Sequence, residues 1–206
     1  LKDAGCHSVD FGLEAGDEQR RKVLLRKSIN NHDIWKAALL FRKYRIPFRT
    51  TNMLGLPGET WDTAWETISL NQRIRTIYPS CSVYQPYPRT ELGDRVIGAG
   101  LAGDDYSVDK IGSTFYKATT LRQADVDTFT NLQKFFWIAV RYPWTSRVIK
   151  QIVKLPPNVL FDWVFLFTYA VNYMGSENVS WRRVLTLGTH TIGGFFFSGT
   201  RRRRSS

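Results

Sequence analysis

Residues 8–77 switch repeatedly between two hydrophobic periodicities, and that switching limits the fold more than any other feature of the chain. Short apolar runs alternate with stretches whose apolar side chains recur every three or four residues. This is the signature of βαβ units feeding a parallel sheet. Ser8-Val9-Asp10-Phe11-Gly12-Leu13 reads as the first strand. Residues 17–27 are charged and helix-forming, and residues 33–44 set Ile34, Ala38 and Phe41 on one helical face, with Trp35 and Leu39 adjoining. Residues 47–54 read as the second strand. Gly55-Leu56-Pro57-Gly58-Glu59-Thr60 then punctuates a turn into a helix that spaces Trp61, Ala64, Trp65 and Ile68 at helical intervals. The third strand is expected over 80–84, stopped at Gln85-Pro86-Tyr87-Pro88 because two prolines cannot continue a ladder.

Beyond Glu91 the pattern changes. Residues 98–105 read as loop, 125–141 as helix, Tyr142-Pro143-Trp144 as an interruption, and about 147–154 as a basic helix. Residues 158–174 form an apolar helix expected to stop at Gly175. It is shorter than the roughly 20 residues a membrane-spanning helix needs and contains Asp162, so it reads as buried or interfacial. An apolar run at 192–197 and a basic end, Arg201 to Arg204, complete the chain. The expectation is an α/β fold over residues 1–124 followed by a mainly helical extension over 125–206. Residues 1–5 look like the last turn of a helix with its Gly5 cap, an element cut through, so a fragment of a longer protein is expected.

Charge and cysteine content narrow the function classes. The net charge of +11 is uneven: residues 1–124 hold 18 basic and 14 acidic side chains, residues 125–206 hold 11 and 4. The second half therefore suits an anionic partner, or is simply a solvated basic surface. Cys6 and Cys81, the two cysteines, have no metal-ligand spacing and fit a reducing compartment, so a cytoplasmic home is expected. His7, His32 and His190 are scattered, which leaves no basis for a zinc site or a histidine triad. The chain has no Gly-Lys-Ser or Gly-Lys-Thr for a P-loop, and Gly12-x-x-x-Gly16 lacks dinucleotide-fingerprint spacing. Asn178-Val179-Ser180 matches a glycosylation sequon.

In a parallel sheet, ligands bind beyond the carboxyl ends of the strands. The informative junctions are Leu13-Glu14, Leu54-Gly55 and Tyr84-Gln85. Glu14 would project a carboxylate over the sheet, where ribose hydroxyls could donate to it at about 1.5 to 3 kcal/mol per shielded bond. Its alternative is a first-turn acid at a helix N-terminus, contributing about 0.3 to 1 kcal/mol. Gly55-Leu56-Pro57-Gly58 lets backbone approach a flat ring with Met53 or Leu54 beside it, or is an ordinary strand-to-helix turn. Arg26 on a basic helix is ordinarily solvated.

Three motifs in register carry a resemblance. They are Ala4-Gly5-Cys6-x-x-Val9-x-Phe11-Gly12-Leu13-Glu14-Ala15-Gly16, then Met53-x-Gly55-Leu56-Pro57-Gly58-Glu59-Thr60, then Gln85-Pro86-Tyr87-Pro88-x-Thr90-x-Leu92. Across residues 1–92 the chain resembles radical S-adenosylmethionine enzymes, especially those preceded by a cobalamin-binding domain. The resemblance implies strands four to six of a partial (β/α) TIM-like barrel, the C-terminal half of that barrel, with Glu14 at the cofactor ribose and Arg26 at the methionyl carboxylate. Met53, Gly55, Val83 and Tyr84 would line the adenine, and Arg89 stands where the family usually has glycine. It also implies S-adenosylmethionine and a four-iron four-sulfur cluster held by a Cys-x-x-x-Cys-x-x-Cys loop, whose ligands would lie outside this chain; cobalamin is left open. The expected activity is radical modification of an unactivated carbon in an apolar small molecule, by methyl transfer, cyclisation or oxidation. This chain alone is expected to be inactive. The rival reading is a non-catalytic module whose basic, aromatic half docks to anionic membrane or nucleic acid, with peripheral membrane contact favoured over specific nucleic-acid binding.

Overall fold

The computed structural model describes residues 1–102, 106, 119–177 and 180. The alternating segment folds as β1 (Val9–Glu14), α1 (Glu18–Leu24), α2 (Asn31–Lys43), β2 (Phe48–Leu54), α3 (Trp61–Ile74) and β3 (Tyr78–Val83). The strands pair in parallel in the order β1-β2-β3, with Phe11 opposite Thr50 and Thr51 opposite Ser80. The three βα repeats are therefore present as an α/β unit, and these strands by themselves close no barrel. Short polar side chains set where the helices begin. Asp17 accepts from the Gln19 and Arg20 amides at α1, Asn30 from Asp33 at α2, and Thr60 exchanges bonds with Thr63 at α3. Each such cap contributes about 1 kcal/mol.

Alternation along β2 buries Phe48, Thr50, Asn52 and Leu54 and leaves Arg49, Thr51 and Met53 part-exposed. On the buried face, Leu13 and Phe48 meet Ile34 and Ala38 of α2 and Leu70 and Ile74 of α3. Nearer the carboxyl ends, Leu54 and Cys81 meet Ala64 and Ile68 of α3 together with Phe129, Leu132 and Phe136 from the later helices. Polar groups are buried in this layer too. The Thr50 hydroxyl donates to Asn71 Oδ1 (2.6 Å), Asn71 Nδ2 to Asn52 Oδ1 (2.8 Å), and Asn52 Nδ2 to the Ser80 carbonyl (2.8 Å). The chain of bonds ties α3 to two strands in one register. Asn71→Ala is expected to lower stability by about 2 kcal/mol, because it orphans buried partners on both sides. A urea titration with an unchanged midpoint would contradict this.

The helical part comprises α4 (Glu91–Gly98), α5 (Val126–Arg141), a 3-10 turn at Pro143–Thr145, α6 (Ser146–Ile152) and α7 (Val159–Glu177). Helix α5 lies on β3 and α3, and α7 lies on α5 and β3. Lys134 of α5, almost fully buried, pairs with Asp162 of α7 at 2.8 Å. Together the two helices also finish the outer edge of the sheet. Asn172 of α7 donates to the Pro79 carbonyl (3.1 Å) and Gln133 of α5 to the Cys81 carbonyl (3.1 Å), both on the side of β3 away from β2.

Several element boundaries differ from the sequence reading. Strand β3 begins at Tyr78, two residues early, and runs through Pro79. Proline is tolerated because it faces the outer edge, where no ladder bond needs its missing N–H. Helix α4 was not expected, since Gly93 and Gly98 lower its apparent propensity; Thr90 caps it by accepting from the Gly93 amide. Gly175 does not end α7, which continues to Glu177. It serves close packing instead: a Cβ there would stand 2.6 Å from the Tyr78 ring. The 192–197 run, the terminal arginines and residues 103–105 of the expected loop lie outside the described residues. Among the described residues no helix is long and apolar enough to cross a membrane.

Candidate functional site at the strand ends

The carboxyl ends of β1, β2 and β3 lie side by side, and each ends in a departure from regular strand geometry. Between Gly12 and Glu14 the register with β2 shifts, and Glu14 takes a left-handed conformation (φ 68°). That conformation is costly for a residue with a Cβ and is held here by partners. Lys27 Nζ donates to Glu14 Oε1 at 2.7 Å and reaches the Gly12 carbonyl at 3.4 Å. The loop that delivers Lys27 is pinned by Arg21, which is fully buried and donates to the carbonyls of Ala15 and Ile29 and to Asn31 Oδ1. Burial lowers the Arg21 pKa, opposed by the nearby charges of Glu18 and Asp17.

At the end of β2, Gly55 is also left-handed (φ 74°), which glycine adopts without steric cost. The turn is closed from within by Glu59, whose Oε2 accepts from the Gly55 and Leu56 amides. Arg20 clamps it from outside through the Pro57 (2.7 Å) and Gly58 (2.9 Å) carbonyls. Burial raises the Glu59 pKa from 4.5 to about 7, against the lowering effect of the two amides and Arg20. Gln123 Nε2 donates to the Gly55 carbonyl at 2.9 Å. At the end of β3, Val83 is buried, and Tyr84 donates its amide to the Leu54 carbonyl (2.8 Å). The Tyr84 phenol is pushed up to about 12 by burial and by neighbouring Tyr106.

The site residues expected from the sequence do not all fall in one place. Glu14, Met53, Gly55, Val83 and Tyr84 sit at the ends of adjacent strands. Met53 and Tyr84 share an apolar cluster with Ala15 and Leu56. Arg26 lies at the rim: left-handed (φ 50°), its side chain 73% exposed, it pairs with Glu91 in the first turn of α4. Arg89 is left-handed as well (φ 65°), the conformation a glycine at that place would adopt freely. Sequence reasoning missed Lys27, Glu59, Arg20 and Gln123. Glu59 stands inside a quoted motif, and the signal was an acid placed four residues after Gly55; nothing in the sequence marks Gln123.

Four buried polar atoms around the Gly55 turn have no hydrogen-bond partner: Tyr84 OH, Gln123 Oε1, Glu59 Oε1 and Arg20 Nε. With Glu14 and Lys27 this makes a mixed donor and acceptor set flanking an apolar floor, chemistry that fits a nucleoside carrying a charged amino-acid tail. An iron-sulfur cluster does not fit in the same way. Among the described residues no three His, Cys, Asp or Glu side chains are grouped to hold a metal ion, and the two cysteines stand apart on residue 6 and β3.

A parallel α/β unit with its polar groups gathered at the strand ends defines a class in which ligands are held above the sheet. Residues 1–70 match the model of the Radical SAM superfamily. A stretch of 101 residues, 49% of the chain, is 27% identical to an uncharacterized methyltransferase of Pyrococcus horikoshii and covers 22% of it. Another of 80 residues, 39% of the chain, is 30% identical to an uncharacterized protein of Methanocaldococcus jannaschii and covers 16% of it. The matches thus span about a fifth of the length of these curated relatives.

Proposed function

We propose that residues 1–124 are the nucleoside-holding part of a radical S-adenosylmethionine enzyme that modifies an unactivated carbon of an apolar small molecule in a reducing compartment, with residues 125–206 as a helical extension. The observation that carries this reading is the juxtaposition of the Glu14 carboxylate with the left-handed Gly55 turn at neighbouring strand ends, in the segment that matches the superfamily. Methyl transfer is the preferred reaction among the three, on the printed description of the Pyrococcus relative. Cobalamin stays optional to that choice.

Bound S-adenosylmethionine, reduced by a four-iron four-sulfur cluster, supplies a reactive carbon radical in this superfamily. The cluster would be ligated from outside the residues described. What this chain contributes is binding and orientation. Glu14 would accept from the ribose hydroxyls, its charge held in place by Lys27, and Arg26 would swing from Glu91 to the methionyl carboxylate. Met53, Gly55, Val83 and Tyr84 would form the adenine floor, and the Gln123 amide, fixed by its bond to the Gly55 carbonyl, would offer Oε1 to an amino group.

Titrating the chain with S-adenosylmethionine tests the reading directly. Glu14→Ala is expected to weaken binding about tenfold or more, as the loss of a charge-assisted bond implies. Arg26→Ala is expected to do so with the amino-acid cofactor but not with 5'-methylthioadenosine, which lacks the carboxylate. Parental affinity in folded Glu14→Ala would remove this residue from the site.

A further inference from the structure

Helix α7 buries Phe161, Phe165 and Thr168 against the rest of the protein, yet its opposite side carries Leu160, Trp163 and Phe167 at 74%, 53% and 70% exposure. A helix apolar all round normally lies inside a protein or within lipid. Beside it the 3-10 turn presents Trp144, 81% exposed, and Tyr142. Trp137, Tyr142, Trp144, Trp163, Val164 and Phe167 line one open groove between α5, that turn and α7. Single exposed apolar side chains need no explanation, but a contiguous aromatic face does.

The charges around the groove indicate what covers it. Arg141 directly precedes Tyr142, Arg147 follows Trp144 by three residues, and Lys154 follows α6; all three are exposed. The acidic side chains of the same helices are committed or distant. Asp162 is tied to buried Lys134 and Glu177 to Arg49 on the sheet, while Asp127 stands in the first turn of α5, at the opposite end from Arg141. Tryptophan and tyrosine tips interleaved with arginine and lysine are the side chains that settle at the boundary between acyl chains and headgroups. Since no described helix can span a bilayer, the contact would be peripheral, made by apolar insertion plus attraction to anionic lipid.

We infer that the groove between α5 and α7 is a membrane-docking face that seats Trp144, Trp163 and Phe167 in the headgroup region of an anionic bilayer, with Arg141, Arg147 and Lys154 against lipid phosphates. The inference stands apart from the strand-end site.

The test is flotation of the full chain with vesicles of phosphatidylcholine, with and without phosphatidylglycerol. Binding to the mixed vesicles at low salt, weakening about tenfold or more at high salt or without phosphatidylglycerol, is the expected result. Trp144→Ser/Phe167→Ser should cut partitioning about tenfold with the circular dichroism spectrum unchanged, and Arg141→Gln/Arg147→Gln/Lys154→Gln should do the same at low salt. Tryptophan fluorescence should shift to the blue on binding. Failure of the wild-type chain to float overturns the inference. So does binding unaffected by the aromatic variant, which would mean electrostatic adsorption alone. Equal binding to neutral vesicles overturns the anionic component, and a concentration-dependent dimer that buries Trp144 and excludes vesicles assigns the face to a second copy instead.

Discussion

Gly16→Ala is expected to lower stability by about 3 kcal/mol, a large share of what a domain of this size possesses. Gly16 is buried where the loop after β1 meets α3, its amide donating to Thr67 Oγ1 at 2.9 Å. A Cβ at this position would run into the Glu66–Thr67 peptide, closer than any real contact allows. Backbone on both sides means that no flexible side chain can swing away. The loop or the helix would have to shift, and with it the route by which Glu14, Arg21 and Lys27 are presented. Thr67→Val removes the accepted hydrogen bond without adding a clash, so it should cost only about 1 kcal/mol. Urea midpoints measured for the two variants side by side check the claim; a Gly16→Ala midpoint equal to that of Thr67→Val would defeat it.

Glu59 should give the protein a pH-dependent stability of opposite sign to that of an ordinary paired carboxylate. Its folded pKa is raised from 4.5 to about 7. Below the ordinary carboxylate range, folded and unfolded chains both carry the proton and the contribution is fully present. As pH climbs, the unfolded chain ionises first while the buried carboxyl keeps its proton, so stability falls until about pH 7 is passed. The loss amounts to about 3 kcal/mol for a shift of this size. Glu59→Gln keeps an oxygen for the Gly55 and Leu56 amides and offers an amide nitrogen where Oε1 stands without a partner. The difference in unfolding free energy between Glu59→Gln and the parent should therefore grow by about 3 kcal/mol from about pH 4 to about pH 8, with the variant gaining. A difference that stays flat across this range would mean that Glu59 titrates normally and that its burial is relieved in solution.

Both predictions concern residues whose importance the sequence displays unevenly. The strands and the helices between them were legible because burial on one face imposes period two on β2 and period 3.6 on α2 and α3. Glu14 and Gly55 were legible because strand ends are where a parallel sheet exposes its chemistry. The Thr50–Asn52–Asn71 network was not, since an asparagine in a strand reads as solvent-facing unless its partner on a distant helix is known. The early start of β3 was not legible either, since a proline such as Pro79 is compatible with a strand only when that strand is an edge, which the sequence does not display. Glu59 was overlooked because glycines and proline explain the shape of the turn, whereas the carboxyl that fills it does so from four residues away. Gln123 reaches Gly55 across a separation of 68 positions, and no local pattern encodes such a meeting.

The amides of Asn172 and Gln133 on the outer carbonyls of β3 give the sheet a polarity. Together with Pro79, which has no N–H to offer, they leave that margin a poor template: an incoming strand would have to displace two side chains and would still find a donor missing. Among the described residues β1 carries a lighter seal, the Lys27 ammonium 3.4 Å from the outward Gly12 carbonyl, so β1 is the more open side for any strand that joins this sheet, from the same polypeptide or from a neighbour. Assembly is thereby biased toward one side. A peptide designed to extend the sheet should register against Val9 to Glu14, and unwanted edge-to-edge association of two molecules should run chiefly through β1, where a second lysine beside Lys27 would help to block it.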